Sequence, residues 1–298
     1  MQSHMTLREA LWRLYEHSGF AMAGAVAFSF VVSIFPFVIF LGALAGIYGG
    51  RELAAAAVDQ LFQILPEPVA KGLAPEVENV VGRSRVDLMT VSGFIALFFA
   101  TSAIETLRAA LNGAYRVHET RPYPLCLLIS MLFVFVSAVS MLVLTWAVVV
   151  GPNLAAGFKA ATWLKEHFDT NWFALATRYA MAAGVIAVQL LAFHLWLAAG
   201  KRTLAEVWPG VLLSVVLWMG LAAGYSYYLN FSDYTRFYAG LSQLMVALIF
   251  FQATAVVILL GAEMNRGIIE VKKLKDNGMI VAPEQQVAAS GEDRGEGA

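Results

Sequence analysis

Glu105, Arg108, Asn112, His194, Glu263 and Asn265 are ionisable or amide side chains set within or at the ends of long apolar runs in a 298-residue sequence. An ionisable group in hydrocarbon costs about 2.5–3.5 kcal/mol on insertion scales, so each needs a reason to be there. Glu105, Arg108 and Asn112 recur at i, i+3 and i+7, which sets them on one face of a helix. Glu105 and Arg108 can neutralise each other across that spacing. Two readings follow. One is a snorkelling, self-paired helix end. The other is one wall of a polar cavity, shared at the same depth with His194, Glu263 and Asn265 and able to accept a polar headgroup. His194 stands alone among apolar neighbours and reads as an interhelical hydrogen bond before it reads as a ligand. Glu263 alternatively ends its helix beside water. A second group, Arg178, Asp233, Tyr234, Arg236 and Tyr238, suits lipid-headgroup contact at the opposite membrane face. Arg178 sits one to two turns inside its run and can snorkel to phosphate, and an ordinary interfacial anchor is the alternative.

No familiar catalytic signature accompanies these groups. The five histidines, His4, His17, His118, His167 and His194, form no HxE, HExxH or other ligand spacing, and the lone Cys126 allows neither CxxC nor an intrachain disulfide. GxxxxGK[ST] and GxSxG are also absent. The expectation is a protein that is not an enzyme, with no metal and no cofactor. Net charge is −1, from 20 basic and 21 acidic residues, which offers no basic field for nucleic acid.

The elements that must carry these residues are membrane helices. Hydrophobic residues make up 59% and charged residues 14% of the chain, and mean hydropathy is +0.68. A soluble domain is about 45–50% apolar and about 25% charged, so its surface could not be built from this composition. A spanning helix needs about 20 apolar residues. Six stretches qualify, at about Phe20–Tyr48, Leu88–Leu107, Leu125–Val150, Trp172–Ala199, Val207–Leu229 and Leu241–Ala262. The fold class is all-α, a polytopic membrane protein with six transmembrane helices. Its parts are an N-terminal segment (1–19, with 1–4 an expression remnant ahead of Met5), a six-helix domain (20–265) and a tail (266–298). The tail opens on Arg266, Lys272, Lys273 and Lys275, and its last fifteen or so residues are expected to be disordered. In the first outer loop (49–87), Leu53, Ala57, Leu61 and Leu65 recur every four residues, and a short helix is expected to start at Pro75. Both predict short amphipathic helices.

Gly42 with Gly46, and Gly220 with Gly224, form GxxxG spacings that let helix backbones approach closely. Pro36 removes a donor inside the first span and should kink it, with Ser29 and Ser33 at hand for freed backbone groups. With the N-terminus inside, twelve Lys and Arg fall on the cytoplasmic side, against seven outside and Arg178 within a span. Positive residues favour the cytoplasm, so both termini are expected there. Tyrosines 225, 227, 228, 234 and 238 cluster at the outer end of the fifth span, where amphipathic rings settle.

The segment Ala27-Phe28-Ser29-Phe30-Val31-Val32-Ser33-Ile34-Phe35-Pro36 resembles the first helix of the YihY/BrkB family of bacterial inner-membrane proteins. Ala110-Leu111-Asn112-Gly113-Ala114-Tyr115 with Glu119 and Arg121 resembles its second signature. Tyr234 to Tyr238, and Gly261-Ala262-Glu263-Met264-Asn265, resemble its third. These landmarks fall in order over about Gly19 to Asn265, with departures at Ala239, Ser242 and Phe250. The resemblance implies six helices in the inner membrane with both ends cytoplasmic. It also carries a former ribonuclease BN label, a link by name to virulence, and a suggested role in moving envelope precursors. The reading placed first is a non-ATP-driven transporter or flippase for a lipid-like or amphiphilic envelope substrate. The alternative is a membrane scaffold that recruits envelope partner proteins through its outer loop and basic tail. A membrane ribonuclease comes third. The expected partners are membrane lipids, such a substrate or an envelope protein, and no nucleic acid. Oligomeric state, substrate identity and direction of transport stay open.

Overall fold

The structure of the protein, a computed structural model, describes residues 7–48, 86–155, 170–231 and 241–277. Among these the chain is helical apart from short connections, with no strand. The helices are α1 (Leu7–Glu16), α2 (Gly19–Tyr48), α3 (Val86–Tyr115), α4 (Tyr123–Ala155), α5 (Thr170–Ala192), α6 (Leu204–Phe231) and α7 (Leu241–Asp276). A single π-helical turn, Phe193–Leu197, continues α5.

Five of these helices contain stretches long and apolar enough to cross a membrane, and α2 makes a sixth when taken with α1. This is an all-α polytopic membrane protein, as the composition demands. The outward faces show why water is the wrong solvent. Leu128, Leu132, Phe135 and Val139 on α4, and Trp208, Leu212 and Val216 on α6, are exposed along single helix faces. In hydrocarbon such stripes are ordinary solvent contact, whereas on a soluble protein they would form large sticky patches.

Each helix from α2 to α7 packs on the next, α7 closes the ring onto α2, and α3 also touches α7. The spans in α3 and α7 are the most buried, at 44% and 39%, against 17% for that of α4. Polar residues carried on α3 and α7 are therefore screened from lipid by the rest of the ring. Both helices run beyond the apolar stretches that announce them. α3 continues from Leu107 to Tyr115 on largely buried residues, and α7 from Ala262 to Asp276, first on the buried Glu263 and Asn265 and then on the exposed Lys272 and Lys273.

Some local features add to or correct the sequence expectations. The helix of α2 includes Pro36, while Ser33 donates to the Phe30 carbonyl and Ser29 pairs with Thr106 of α3. A sharp bend that the sequence did not announce, a 77° turn, lies between α1 and α2. Ser18 occupies the left-handed region there (φ 57°) and Gly19 lies against Leu14, where a Cβ would stand 2.3 Å from Leu14 Cδ1. Finally, a Cβ on Gly220 or Gly224 would meet nothing within 4 Å, so among the described residues that spacing makes no close approach. The close approach is at Gly210 and Gly261. A Cβ on Gly210 would fall 2.1 Å from the Gly261 carbonyl oxygen, and one on Gly261 would fall 2.1 Å from Ser214 Oγ. The seam between α6 and α7 thus follows Gly210-xxx-Ser214, a small-xxx-small spacing in place of GxxxG. Gly42 and Gly46 lie on α2, and their surroundings fall outside what the structure describes, as do 49–85 and the end of the tail.

Candidate functional site: a polar network at one end of the bundle

α3 ends in a reversal that builds much of the site. The Val117 amide donates to the Asn112 carbonyl (3.0 Å) and the Arg116 amide to the Gly113 carbonyl (3.0 Å). This is the paired closure of a helix C-terminus, with Arg116 in the left-handed position that glycine usually takes (φ 54°). A non-glycine residue there is strained by about 1–2 kcal/mol, and its side chain reaches α7.

Four groups of contacts radiate from this reversal. In the first, Arg108 grips Glu105 with two donors, Nε to Oε1 (3.1 Å) and Nη2 to Oε2 (2.5 Å), and reaches Glu119 Oε2 with its third (2.5 Å). Ser130 of α4 donates to Glu105, and Asn112 Nδ2 to Glu119 Oε2 (3.2 Å). Arg121 clamps both oxygens of Glu119 at 2.8 Å. The Arg121 guanidinium, helped by that of Arg108, holds the Glu119 carboxyl well below the usual carboxylate range, and Glu119 in turn raises Arg121.

In the second group, arginines cap the π-turn. Its carbonyls have no helical partner beyond Leu197. Arg121 donates to the Trp196 (3.2 Å) and Leu197 (2.9 Å) oxygens, and Arg202 to those of His194 (2.9 Å) and Ala199 (2.5 Å). The Ala199 amide donates to Asn112 Oδ1 (2.7 Å). Arg202 also stacks on the Tyr115 ring at 3.7 Å, and burial pushes its pKa down.

The third group is a fully buried line across α3, the π-turn, α7 and α6. Tyr115 Oη lies 2.8 Å from His194 Nδ1 and accepts from Asn265 Nδ2 (3.2 Å). Asn265 Oδ1 accepts from the Gly210 amide (2.7 Å) at the tight α6–α7 crossing. His194 Nε2 has no hydrogen-bond partner among the described residues. An unsatisfied buried polar atom of this kind costs about 1–3 kcal/mol.

In the fourth, ion pairs tie three helices. Arg116 Nη2 donates to Glu263 Oε2 (3.1 Å) of α7 and reaches His17 Nδ1 (2.9 Å) after α1. Arg13 of α1 pairs with Glu270 of α7, which also accepts Arg266 (2.7 Å). Glu263 is 1% exposed and pairs with Arg116, whose Nη1 is itself buried with no hydrogen bond among the described residues.

Glu105, Arg108, Asn112, His194 and Asn265 therefore join one set of linked contacts, while Glu263 lies in a separate ion-pair set through Arg116, the residue next to Tyr115. They are turned toward each other and toward residues not counted as site members from sequence: Tyr115, Arg116, Glu119, Arg121, Ser130 and Arg202. Tyr115, at i+3 from Asn112, was legible from helical spacing. The arginines looked like loop charges because nothing in their spacing announces a reversal in the left-handed region or a π-turn. An open hollow of about 860 Å³ at this end lies along α1, with Arg8, Trp12 and Tyr15 among its lining. Arg178 lies on α5 with its side chain outside what is described, and Asp233, Tyr234, Arg236 and Tyr238 lie outside the described residues. Among the described residues no three His, Cys, Asp or Glu side chains gather in a metal-holding group.

A helical membrane bundle with a buried arginine–carboxylate network at one end is the class these observations define. The sequence profile of the virulence factor BrkB family matches residues 10–280, and the chain belongs to that family. It is similar to the putative ribonuclease-like protein YfkH of Bacillus subtilis, 24% identical over 278 residues and covering 91% of this chain and 97% of that protein. It is also similar to UPF0761 membrane proteins of Xanthomonas campestris (28% over 268 residues) and Xanthomonas axonopodis pv. citri (27% over 270). Each match covers 85% of this chain, which spans a little under three fifths of those relatives, 58% and 59%. No solved structure matches.

Proposed function

We propose that this BrkB-family membrane protein is a non-ATP-driven transporter or flippase for a lipid-like, amphiphilic envelope substrate, and that the polar network is its closed cytoplasmic gate. On this reading the protein lies in the inner membrane with both termini in the cytoplasm. The observation that carries it is the Arg116–Glu263 pair, made across two helices and deep enough that Glu263 is almost fully enclosed. Burying such a pair gains little net stability over an apolar filling. A gate gives these charges a reason to be there, because an ion pair between helices can be exchanged. An anionic headgroup offers the same bidentate acceptor geometry as Glu263 or Glu119 and can take its place on arginine. The glutamate released then faces water as the helices part.

The test is full-length protein in vesicles of phosphatidylcholine and phosphatidylglycerol carrying a fluorescent phosphatidylglycerol. Dithionite should bleach the inner-leaflet pool in the presence of protein, and Glu105→Ala and Arg108→Ala should slow that bleaching. Vesicles that behave like empty ones with phospholipid and with labelled envelope precursors alike would overturn the reading.

A second reading, a scaffold, is favoured by how fully Glu119 and Arg121 are satisfied, as static struts would be. It expects deletion of Leu53–Arg85 to abolish function while network substitutions leave it intact, with crosslinking from that loop capturing an envelope protein.

A further inference from the structure

α1 is ten residues long and has three faces. Ala10 and Leu14 are buried against the bundle, and Arg13 pairs with Glu270 of α7. On the opposite side Leu11, Tyr15 and Trp12 are exposed, with Tyr15 at 69% and Trp12 at 65%. At 3.6 residues per turn these three fall within an arc of about 100°, and Arg8 shares that arc one turn nearer the N-terminus. Glu16 lies beyond its edge. Trp12 and Tyr15 also stack on each other, ring centres 6.0 Å apart. This is a helix with one flank on protein and one exposed flank made of apolar and aromatic groups with a single cation.

The 77° turn at Ser18–Gly19 decides what that flank meets. If α2 crosses the bilayer at an ordinary tilt, α1 runs nearly along the membrane plane. Beyond the turn Phe20 and Phe28 are exposed within about 80° of each other on α2. Apolar surface of the kind that the spanning helices present to acyl chains thus resumes directly after α1. Arg8 lies between the apolar groups of that arc, and its long stem lets the guanidinium, like the Tyr15 hydroxyl, reach the headgroup level while the aliphatic and aromatic bodies insert. Lys273, exposed one turn beyond Glu270, adds positive charge where α7 leaves the bundle.

We infer that α1 is an interfacial helix that binds the anionic lipid surface at this end of the bundle, with Leu11, Trp12 and Tyr15 inserted at headgroup depth and Arg8 on lipid phosphate. The inference stands apart from the carrier reading, since a scaffold would need the same anchor. It does have a consequence for the network. α1 is tied to α7 through Arg13–Glu270, and His17 just beyond its end touches Arg116, so the helix that rides on the lipid surface also braces the ion pairs.

The experiment uses the full chain in vesicles of phosphatidylcholine with phosphatidylglycerol, and in phosphatidylcholine alone. Nitroxides at Trp12→Cys, Tyr15→Cys and Glu16→Cys, in a Cys126→Ala background, are scored for collision with oxygen and with a water-soluble nickel chelate. Labels at 12 and 15 should favour oxygen several-fold over the label at 16. Arg8→Glu should make the label at 12 shallower in the mixed vesicles and leave it unchanged in phosphatidylcholine alone. Labels at 12 and 15 as open to nickel as that at 16 would overturn the inference, as would labels shielded from both reagents, the mark of a protein partner or a second copy. A label at 12 indifferent to Arg8→Glu in both vesicle types would overturn the anionic preference. Should Cys126→Ala fail to fold, the unmodified chain serves. Brominated lipid must then quench its tryptophan emission more than that of Trp12→Phe, and equal quenching would defeat the inference.

Discussion

Replacing Glu263 by Gln removes the charge that faces Arg116 while keeping the side chain's shape. Deleting one partner of a fully buried ion pair destabilises by about 3–5 kcal/mol, because the other charge is left in a poor solvent. Arg116 is not fully buried, at 23% of its side chain exposed, and it keeps His17 within 2.9 Å. The loss should therefore fall below that range, at about 2–3 kcal/mol. For a chain of this length that is a fall of about 5–10 °C in unfolding midpoint. Size-exclusion survival after heating, in one detergent, reads it for wild type, Glu263→Gln, Arg116→Gln and the double variant. Both singles keep residue 116 non-glycine, so backbone strain at φ 54° is common to all four proteins and drops out of the cycle. The coupling between the two sites should be about 1–3 kcal/mol and stabilising. Singles indistinguishable from wild type, or a double variant that loses the full sum of both singles, would show that the pair is not what holds α3 to α7 at this end.

The strain at residue 116 has its own test. Arg116→Gly and Arg116→Ala lose the same ion pair, but glycine relaxes the left-handed turn, so the glycine variant should survive heating better by about 1 kcal/mol. At the α6–α7 crossing, Gly210→Ala or Gly261→Ala places a Cβ about 2 Å from backbone or Ser214, so either should sharply lower the yield of monodisperse protein. Gly220→Ala and Gly224→Ala meet nothing within 4 Å and should be neutral or stabilising by about 0.5–1 kcal/mol, readable in the same heating assay. Glu119 gives a pH dependence. Its carboxyl is held low in the folded chain, chiefly by Arg121, so its contribution is complete above the unfolded value of about 4.3 and declines as pH falls from there toward the folded value. The gap in unfolding midpoint between wild type and Glu119→Gln should be widest near neutral pH and begin to narrow as pH falls below about 4.

Membrane character was legible because it is a property of composition, and the helix starts because apolar runs begin abruptly. Helix ends were harder. α3 and α7 outrun their apolar stretches where Asn112, Glu263 and Asn265 find partners elsewhere in the bundle, and burial by other helices leaves no mark on local hydropathy. Spacing puts Glu105, Arg108 and Asn112 on one helix face, where Arg108 holds Glu105 and both Arg108 and Asn112 reach Glu119. It could not bring in Arg121 or Arg202, whose roles depend on a π-turn. The glycine seams show the same limit. Gly220 and Gly224 carry a familiar spacing on a face that meets nothing within 4 Å among the described residues, while Gly210 and Gly261 touch across helices on the less conspicuous Gly210-xxx-Ser214 spacing. α1 lies within the N-terminal segment 1–19, and its ten residues are too few for a span of their own, so hydropathy alone does not single it out.

Whether the network is a gate or a strut can be decided by double electron–electron resonance between spin labels at exposed His118, after the α3 reversal, and exposed Lys272 on α7, with the full chain in anionic nanodiscs. A gate predicts two distance populations, the longer one growing when Glu263→Gln removes the cross-helix pair. A single narrow distance, unchanged by that substitution, would contradict the account.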